Sequence, residues 1–192
     1  PRLAAMYQIN EFSSIKASYG RTVQYAQLAT NATAGIPFDM WFPTSPNIKP
    51  QKCDQFSLGY FRNFLNDEIE TSVELFYKNI HNVIDFADNA TLIGNLYIDG
   101  EVRAGKGYAY GAELLLRKNF GDFSGWISYT YSKSMRKVPG INYDREYVSP
   151  YDKPHNISIV LNYAFNKRFD VSASWIYNTG QPVTYPCGKY TV

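Results

Sequence analysis

The sequence predicts an all-β, antiparallel, up-and-down sheet of the transmembrane-barrel kind, with about eight strands present as part of a larger ring. Three observations carry this. Segments of about ten residues alternate apolar and polar side chains. The connections between them are by turns very short and very long. Aromatic residues gather where the apolar face meets the short connections. Period two gives a strand one apolar and one polar face. When many strands do this and aromatics border the apolar face, the expected solvent on that face is lipid.

The strands follow in order. Leu3, Ala5, Tyr7 and Ile9 share a face over residues 1–9, and Ile15, Ala17 and Tyr19 over 13–26. Phe56, Leu58, Tyr60 and Phe64 mark a third strand over 52–64, and Ile69, Thr71, Val73, Leu75 and Tyr77 a fourth over 69–86. Tyr110, Ala112, Leu114, Leu116 and Phe120 mark a fifth over 106–120; Phe123, Ile127, Tyr129 and Tyr131 a sixth over 123–137. Ile157, Ile159, Leu161, Tyr163 and Phe165 alternate with Asn156, Ser158 and Asn162 in the seventh. Phe169, Val171, Ala173, Trp175 and Tyr177 alternate with Asp170, Ser172 and Ser174 in the eighth, and a further strand is expected from Val183.

Four connections are tight: 10–12, 65–68, 121–122 and 166–168. Their Asn, Asp and Gly content is hairpin chemistry. Three are long: 27–51, 88–105 and 138–154. Strict alternation puts every tight turn at one end of a meander and every long loop at the other, as in outer-membrane barrels. Phe64, Phe120, Phe123, Phe165 and Phe169 all flank tight turns on the apolar parity. About eight residues further along the strands stand Phe56, Ala112, Tyr131, Ile157 and Tyr177. That separation is roughly 26 Å of strand, or roughly 20 Å of height at a tilt of about 40°.

Composition narrows the function classes. The chain has 192 residues and a formal charge of +2, with no basic stripe, so no nucleic-acid partner is expected. It carries 17 Tyr and 12 Phe, an aromatic load high for a soluble domain. Mean hydropathy is −0.34, and no apolar run is long enough for a membrane helix. A barrel is compatible with that value, because its inward half is polar. Pro1-Arg2-Leu3 reads as mid-strand rather than as a leader, and the chain ends partway into a strand, so a piece of a larger barrel is expected. Cys53 and Cys187 are the two cysteines, and their pairing is left open. Two His and no clustered carboxylates leave no metal site, and no cofactor is expected.

Five segments together resemble one known family. Asn47-Ile48-Lys49-Pro50-Gln51 followed by Phe56-Ser57-Leu58-Gly59-Tyr60 resembles an "N-x-K-P-E … G" strand of TonB-dependent outer-membrane receptors. Glu74-Leu75-Phe76-Tyr77-Lys78-Asn79-Ile80 is similar to their next strand, and Gly107-Tyr108-Ala109-Tyr110-Gly111-Ala112-Glu113 to a "G-x-E" strand. Asp152-Lys153-Pro154-His155-Asn156 resembles a "P-x-H" strand opening, and Ser14–Arg21 an earlier strand. Tyr177-Asn178-Thr179-Gly180-Gln181-Pro182 resembles receptors of the Bacteroidetes branch.

The resemblance implies a late portion of a barrel of roughly 22 strands with a plugged lumen. It implies a Gram-negative outer membrane and active uptake of a scarce ligand: an iron chelate, cobalamin, oligosaccharide or peptide. The implied partners are the lipid bilayer and lipopolysaccharide, the receptor's own plug domain, and the TonB energising complex acting through the plug. The plug is absent from this chain. Two rivals remain: a small complete outer-membrane barrel serving as adhesin or membrane enzyme, and a soluble β-sandwich binding module.

Candidate site residues follow. Phe38, Trp41 and Phe42 form an apolar, aromatic stretch within the first long loop, suited to stacking on a ligand ring or to a small satellite core. Tyr147, with Tyr143, Arg145, Glu146 and Tyr151, gives the third loop a similar character. Glu70, Glu74, Lys78, Glu113 and Arg117 fall on the lumen parity, where charges pair across strands; Glu113 and Arg117 are also plausible plug-facing groups. Arg136 with Lys137 are candidate contacts for lipopolysaccharide phosphates, or a solvated strand end. Glu70 and Glu74 lack a nearby nucleophile, and His155 faces away from Asn156 and Ser158, so no catalyst is expected.

Overall fold

The computed structural model describes residues 1–31, 38–88, 90 and 95–183. The long strands lie where the alternation predicts them. They are β1 (Arg2–Asn10), β2 (Ser13–Gln24), β5 (Gln51–Phe64), β6 (Ile69–Phe86), β7 (Val102–Lys118), β8 (Phe123–Lys137), β10 (His155–Asn166) and β11 (Phe169–Asn178). They form one antiparallel sheet in the order β1-β2-β5-β6-β7-β8-β10-β11. The sheet is open, with β1 and β11 at its edges. The first long loop contains a separate hairpin, β3 (Ala26–Asn31) with β4 (Phe38–Pro43). The third contains β9 (Tyr147–Val148), which extends the upper part of β8. Alternation did not signal these short pieces, whose pairing is set by packing at the loop end. The strand expected from Val183 and the state of Cys187 lie outside the described residues.

The register sorts every side chain. One row crosses all eight long strands: Tyr7, Ile15, Tyr60, Val73, Leu114, Tyr129, Ile157 and Tyr177. The row one residue away reads Met6, Lys16, Gly59, Glu74, Glu113, Thr130, Asn156 and Asn178. A slip of one residue on any strand would exchange these two rows. The apolar side is bare: Leu58, Leu75, Val171 and Trp175 are each about half exposed. A face this large and apolar is rare on a soluble monomer. A β-sandwich would lay a second sheet across it, but the second sheet here is the short β3–β4 hairpin.

Tight turns close one end. Leu65, Asn66 and Asp67 all adopt left-handed backbone between β5 and β6, and Gly121 (φ 97°) turns β7 into β8. Beside these turns stands the expected ring of exposed Phe: Phe64, Phe120, Phe123, Phe165 and Phe169. Phe165 packs on Tyr163 at 4.6 Å and on Phe169 at 5.4 Å.

The conventional core lies at the other end. Ala29, Phe42, Ile48, Ile84 and Phe86 are buried together, with Met40, Ile98 and Val102 against them. Strands run longest there. β6 has 18 residues and β7 has 17, against about 9–11 for a spanning strand. A bulge at Asn82 (φ 59°) interrupts the β6–β7 register, and its side-chain amide donates to the Pro50 carbonyl at 2.9 Å.

Candidate functional site

The long-loop end gathers three connections that are remote in sequence. Its hub is Asp85, near the top of β6. Arg136 on β8 donates to Asp85 Oδ2 at 3.2 Å, and the Tyr147 hydroxyl donates to the same oxygen at 2.8 Å. Both charged side chains of that pair are 11 % exposed, so the charges meet in a poorly solvated setting where each needs the other. The Arg136 guanidinium also lies over the Tyr151 ring, 5.4 Å from its centroid. Tyr151 in turn donates to the Leu28 carbonyl of β3 at 3.4 Å. One chain of contacts therefore links the first loop, the top of β6, β8 and the third loop.

This geometry controls the chemistry of Tyr147. Burial, the negative charge of Asp85 and the hydrogen bond to it, in that order, push the phenol far above its ordinary value, with Arg136 opposing. Tyr147 is thus held as a neutral hydroxyl donor. Tyr151 is raised too, chiefly by burial. Nearby, Asp152 is 2 % exposed. It accepts from the Ser134 backbone N–H at 2.6 Å and from Lys133 at 3.1 Å, anchoring the third loop's return to the sheet.

A cleft of about 310 Å³ opens on the polar side of this assembly. Gln24, Gln51, Arg136, Ser149 and Tyr151 supply its polar lining, and Leu28 and Ile80 its apolar patches. Close by, Gln27 is buried in β3; its Nε2 donates to the Lys49 carbonyl at 3.1 Å, while Oε1 has no partner among the described residues. A few directed polar groups in an apolar concavity are the ordinary make-up of a small-molecule site. Among the described residues no cluster of His, Cys, Asp or Glu is suited to holding a metal.

The structure distributes the sequence candidates as follows. Phe42 is 2 % exposed and packs edge-on against Phe86 at 5.9 Å, so it supports the hairpin from within. Trp41, opposite Leu28 in the hairpin register, is 62 % exposed. The Phe38 backbone pairs with Asn31; its side chain lies outside the described residues. Tyr147 is in the Asp85 hub. Glu113 and Arg117 are on the polar face of β7, below the cleft. Arg117 lies 3.5 Å from Glu70, with both side chains substantially exposed, whereas Glu113 stands directly opposite Glu74. Arg136 and Lys137 part company, Arg136 turning to Asp85 while Lys137 is exposed on the other face. His155 opens β10 and contacts the Tyr129 hydroxyl through Nδ1 at 2.9 Å. Sequence reading missed Asp85 and Gln27. Asp85 is the one acidic residue in the apolar run Val83–Phe86, which is a signal for a paired charge.

Comparison with known proteins agrees with this architecture. Residues 1–191 match the family described as TonB dependent receptor-like, beta-barrel. No curated protein matches the sequence. Among solved structures, P. aeruginosa FpvA in an iron-containing complex with a heterologous pyoverdine shares the fold at a TM-score of 0.60 and 16 % identity. The match covers 93 % of this chain and 25 % of FpvA. At that identity the likeness concerns the fold alone, and the chain spans a quarter of that receptor's length. With a family match over nearly its whole length, the chain belongs to the TonB-dependent receptor β-barrel family.

Proposed function

We propose that these residues form part of the barrel wall and outer loops of a receptor that takes up a scarce ligand across the outer membrane of a Gram-negative bacterium. The observation that carries this is the unbroken apolar row across eight strands, backed by a polar row one residue away and crowned by converging loops. Lipid takes the first face, an aqueous or plugged lumen the second. Two open edges do not persist in lipid, where unpaired backbone costs several kcal/mol per group, so further strands close the ring. A plug elsewhere in the same polypeptide fills the lumen and connects to the TonB energising complex. The facing Glu74 and Glu113 carboxylates favour a cationic plug contact there, with Arg117 four residues nearer the turn end, opposite Glu70.

Ligand contact falls to Tyr151 in the cleft lining and to exposed Trp41 on the hairpin, with Tyr147 in the adjoining hub, Phe38 a candidate on sequence grounds and Phe42 setting the hairpin's position. An iron chelate is the ligand class this reading favours: Gln24 and Gln51 in the cleft lining offer hydrogen-bonding recognition, and exposed Trp41 offers stacking. The FpvA complex, itself with an iron-bound pyoverdine, supports that choice. The wall supplies position and contributes no catalytic group. Assignment to the Bacteroidetes branch rests on Tyr177–Pro182 alone.

The test is uptake by cells with the gene deleted, measured with labelled ferric chelates, cobalamin and oligosaccharides, with and without a protonophore. Loss of one ligand class, restored by the gene and abolished by protonophore, is expected. Unchanged uptake of every class, or restored uptake indifferent to protonophore, overturns the proposal.

A further inference from the structure

We infer that the cleft at the long-loop end selects an uncharged solute carrying amide or hydroxyl groups. The inference rests on the receptor reading above and narrows its ligand by charge. Ions are sparse in the lining. Gln24, Gln51, Ser134 and Ser149 are neutral, and Arg136 is the one charged residue among those that line the cleft. Arg136 is already engaged. It donates to Asp85 Oδ2 at 3.2 Å and to the Ile84 carbonyl at 3.4 Å, and its guanidinium lies over the Tyr151 ring. Lys78, one polar row below Ile80 of the lining, turns to the Phe76 ring, 5.2 Å from its centroid. Asp39 lies on the exposed hairpin, outside the lining. An ionised ligand entering this cleft loses water and gains no free counter-ion, which makes its burial costly.

What the cleft offers is neutral donors and acceptors. Gln24 and Gln51 stand directly opposite each other on β2 and β5. Gln24 donates to the Ala26 carbonyl at 2.6 Å. A primary amide has two donors and an acceptor oxygen, so one such bond leaves capacity for a ligand. A site built on directed hydrogen bonds discriminates strongly against a solute that leaves them unmade.

The wall on the β8 side of the cleft keeps the same character. Ser134 is in the lining, and the polar face of β8 continues from it toward the turn end. From the row of Thr130, Asn156 and Asn178 to the row of Ser124, Asn162 and Ser172, that face of β8, β10 and β11 holds Ser, Thr, Asn and apolar side chains and no charge. One strand over, the same rows carry Glu113 and Arg117 on β7, then Glu74 and Glu70 on β6. The lumen's ions are gathered in one sector and kept out of the sector that starts at Ser134. A chelate of zero net charge or a neutral sugar suits this setting, and a polyanionic chelate does not.

The test measures equilibrium binding to the full-length receptor with probes matched in kind and differing in charge. One pair is a neutral ferric trihydroxamate and an anionic ferric tricatecholate; the other is a neutral oligosaccharide and the same oligosaccharide bearing a uronate. Wild type should bind the neutral member of a pair at least about tenfold more tightly than the anionic one. Gln51→Lys should raise affinity for the anionic member at least about fivefold, while Gln181→Lys, an exposed change outside the lining, should leave both affinities within about twofold. Equal or tighter binding of the anionic members by wild type overturns the inference, as does failure of both neutral members to bind. A folded Gln51→Lys without the gain, or an equal gain in Gln181→Lys, overturns the cleft as the selecting site. Heat-modifiable gel mobility reports folding of each variant, and the wild-type comparison stands whether or not Gln51→Lys folds. Energised uptake is recorded in parallel. Protonophore-sensitive uptake of an anionic member alone overturns the inference and leaves the receptor reading intact. Absence of protonophore-sensitive uptake for every probe overturns the receptor reading itself.

Discussion

The wall and the crown of this molecule are built by different rules. In the wall, from the Phe ring to the row of Tyr19, Phe56, Tyr77 and Tyr110, each side chain's place follows from parity and from partners on the adjacent strand. In the crown, the contacts join residues far apart in sequence, such as Asp85 with Tyr147 and Leu28 with Tyr151. The wall is therefore robust to the identity of any one apolar side chain but intolerant of a charge. The crown depends on a few named groups, each with a specific partner.

The largest effect expected from this contrast is in the wall. Leu161→Arg, paired with Ala173 and Gly125 on the apolar face, should cost about 2–4 kcal/mol in the full-length receptor. Urea titration of heat-modifiable gel mobility measures it. Ser128→Arg, on the polar face, should cost far less. Equal costs would mean that hydrocarbon does not lie on the Leu161 side.

The crown should respond next. Asp85→Asn leaves Arg136 without its anion and weakens the acceptor for Tyr147. A loss of about 2 kcal/mol is expected, below the range for fully buried pairs because some solvent reaches this one. Hydrogen exchange should rise across residues 138–154 while β10 and β11 stay protected. Arg117→Gln, which breaks a solvated pair, should change stability by less than about 0.5 kcal/mol. If both variants act alike, the Asp85 hub does not organise the loops.

The smallest effect concerns pH. Tyr147→Phe should cost about 1 kcal/mol near neutrality, the usual worth of one hydrogen bond. The Tyr147 phenol has its folded value raised above the unfolded one of about 10. Its contribution is therefore fully present below pH ~10 and is lost as pH climbs toward the folded value. Exchange over 138–154 should increase in alkali for wild type, and Tyr147→Phe should show a flatter response. An identical alkaline profile in both would remove Tyr147 from the account.

The same contrast explains what could be read from sequence. Wall strands were legible because alternation is a local property: Phe169 through Tyr177 declare their face with no knowledge of any partner. The turns were legible because Asn66-Asp67 and Gly121-Asp122 carry their backbone preference with them. The β3–β4 hairpin was not legible. Ala26–Asn31 alternates weakly, and its reason to be a strand is the burial of Ala29 and Phe42 against Ile84 and Phe86. Phe42 and Trp41 look alike in the sequence, and only the hairpin's docking separates a buried support from an exposed ring. Arg136 and Lys137 were read as one dipeptide, although adjacent strand residues point to opposite faces.

β6 carries a further consequence. At about 3.3 Å per residue its 18 residues reach roughly 59 Å, or roughly 45 Å of height at a tilt of about 40°, beyond the roughly 30 Å of a hydrocarbon core. The excess is paired with β7 up to Phe86–Val102. A stiff palisade thus stands in water and carries the loops at its rim. In the receptor proposed above, a macromolecule arriving from outside would touch rigid hydrogen-bonded backbone before lipid, and the loops would meet a ligand from a fixed height.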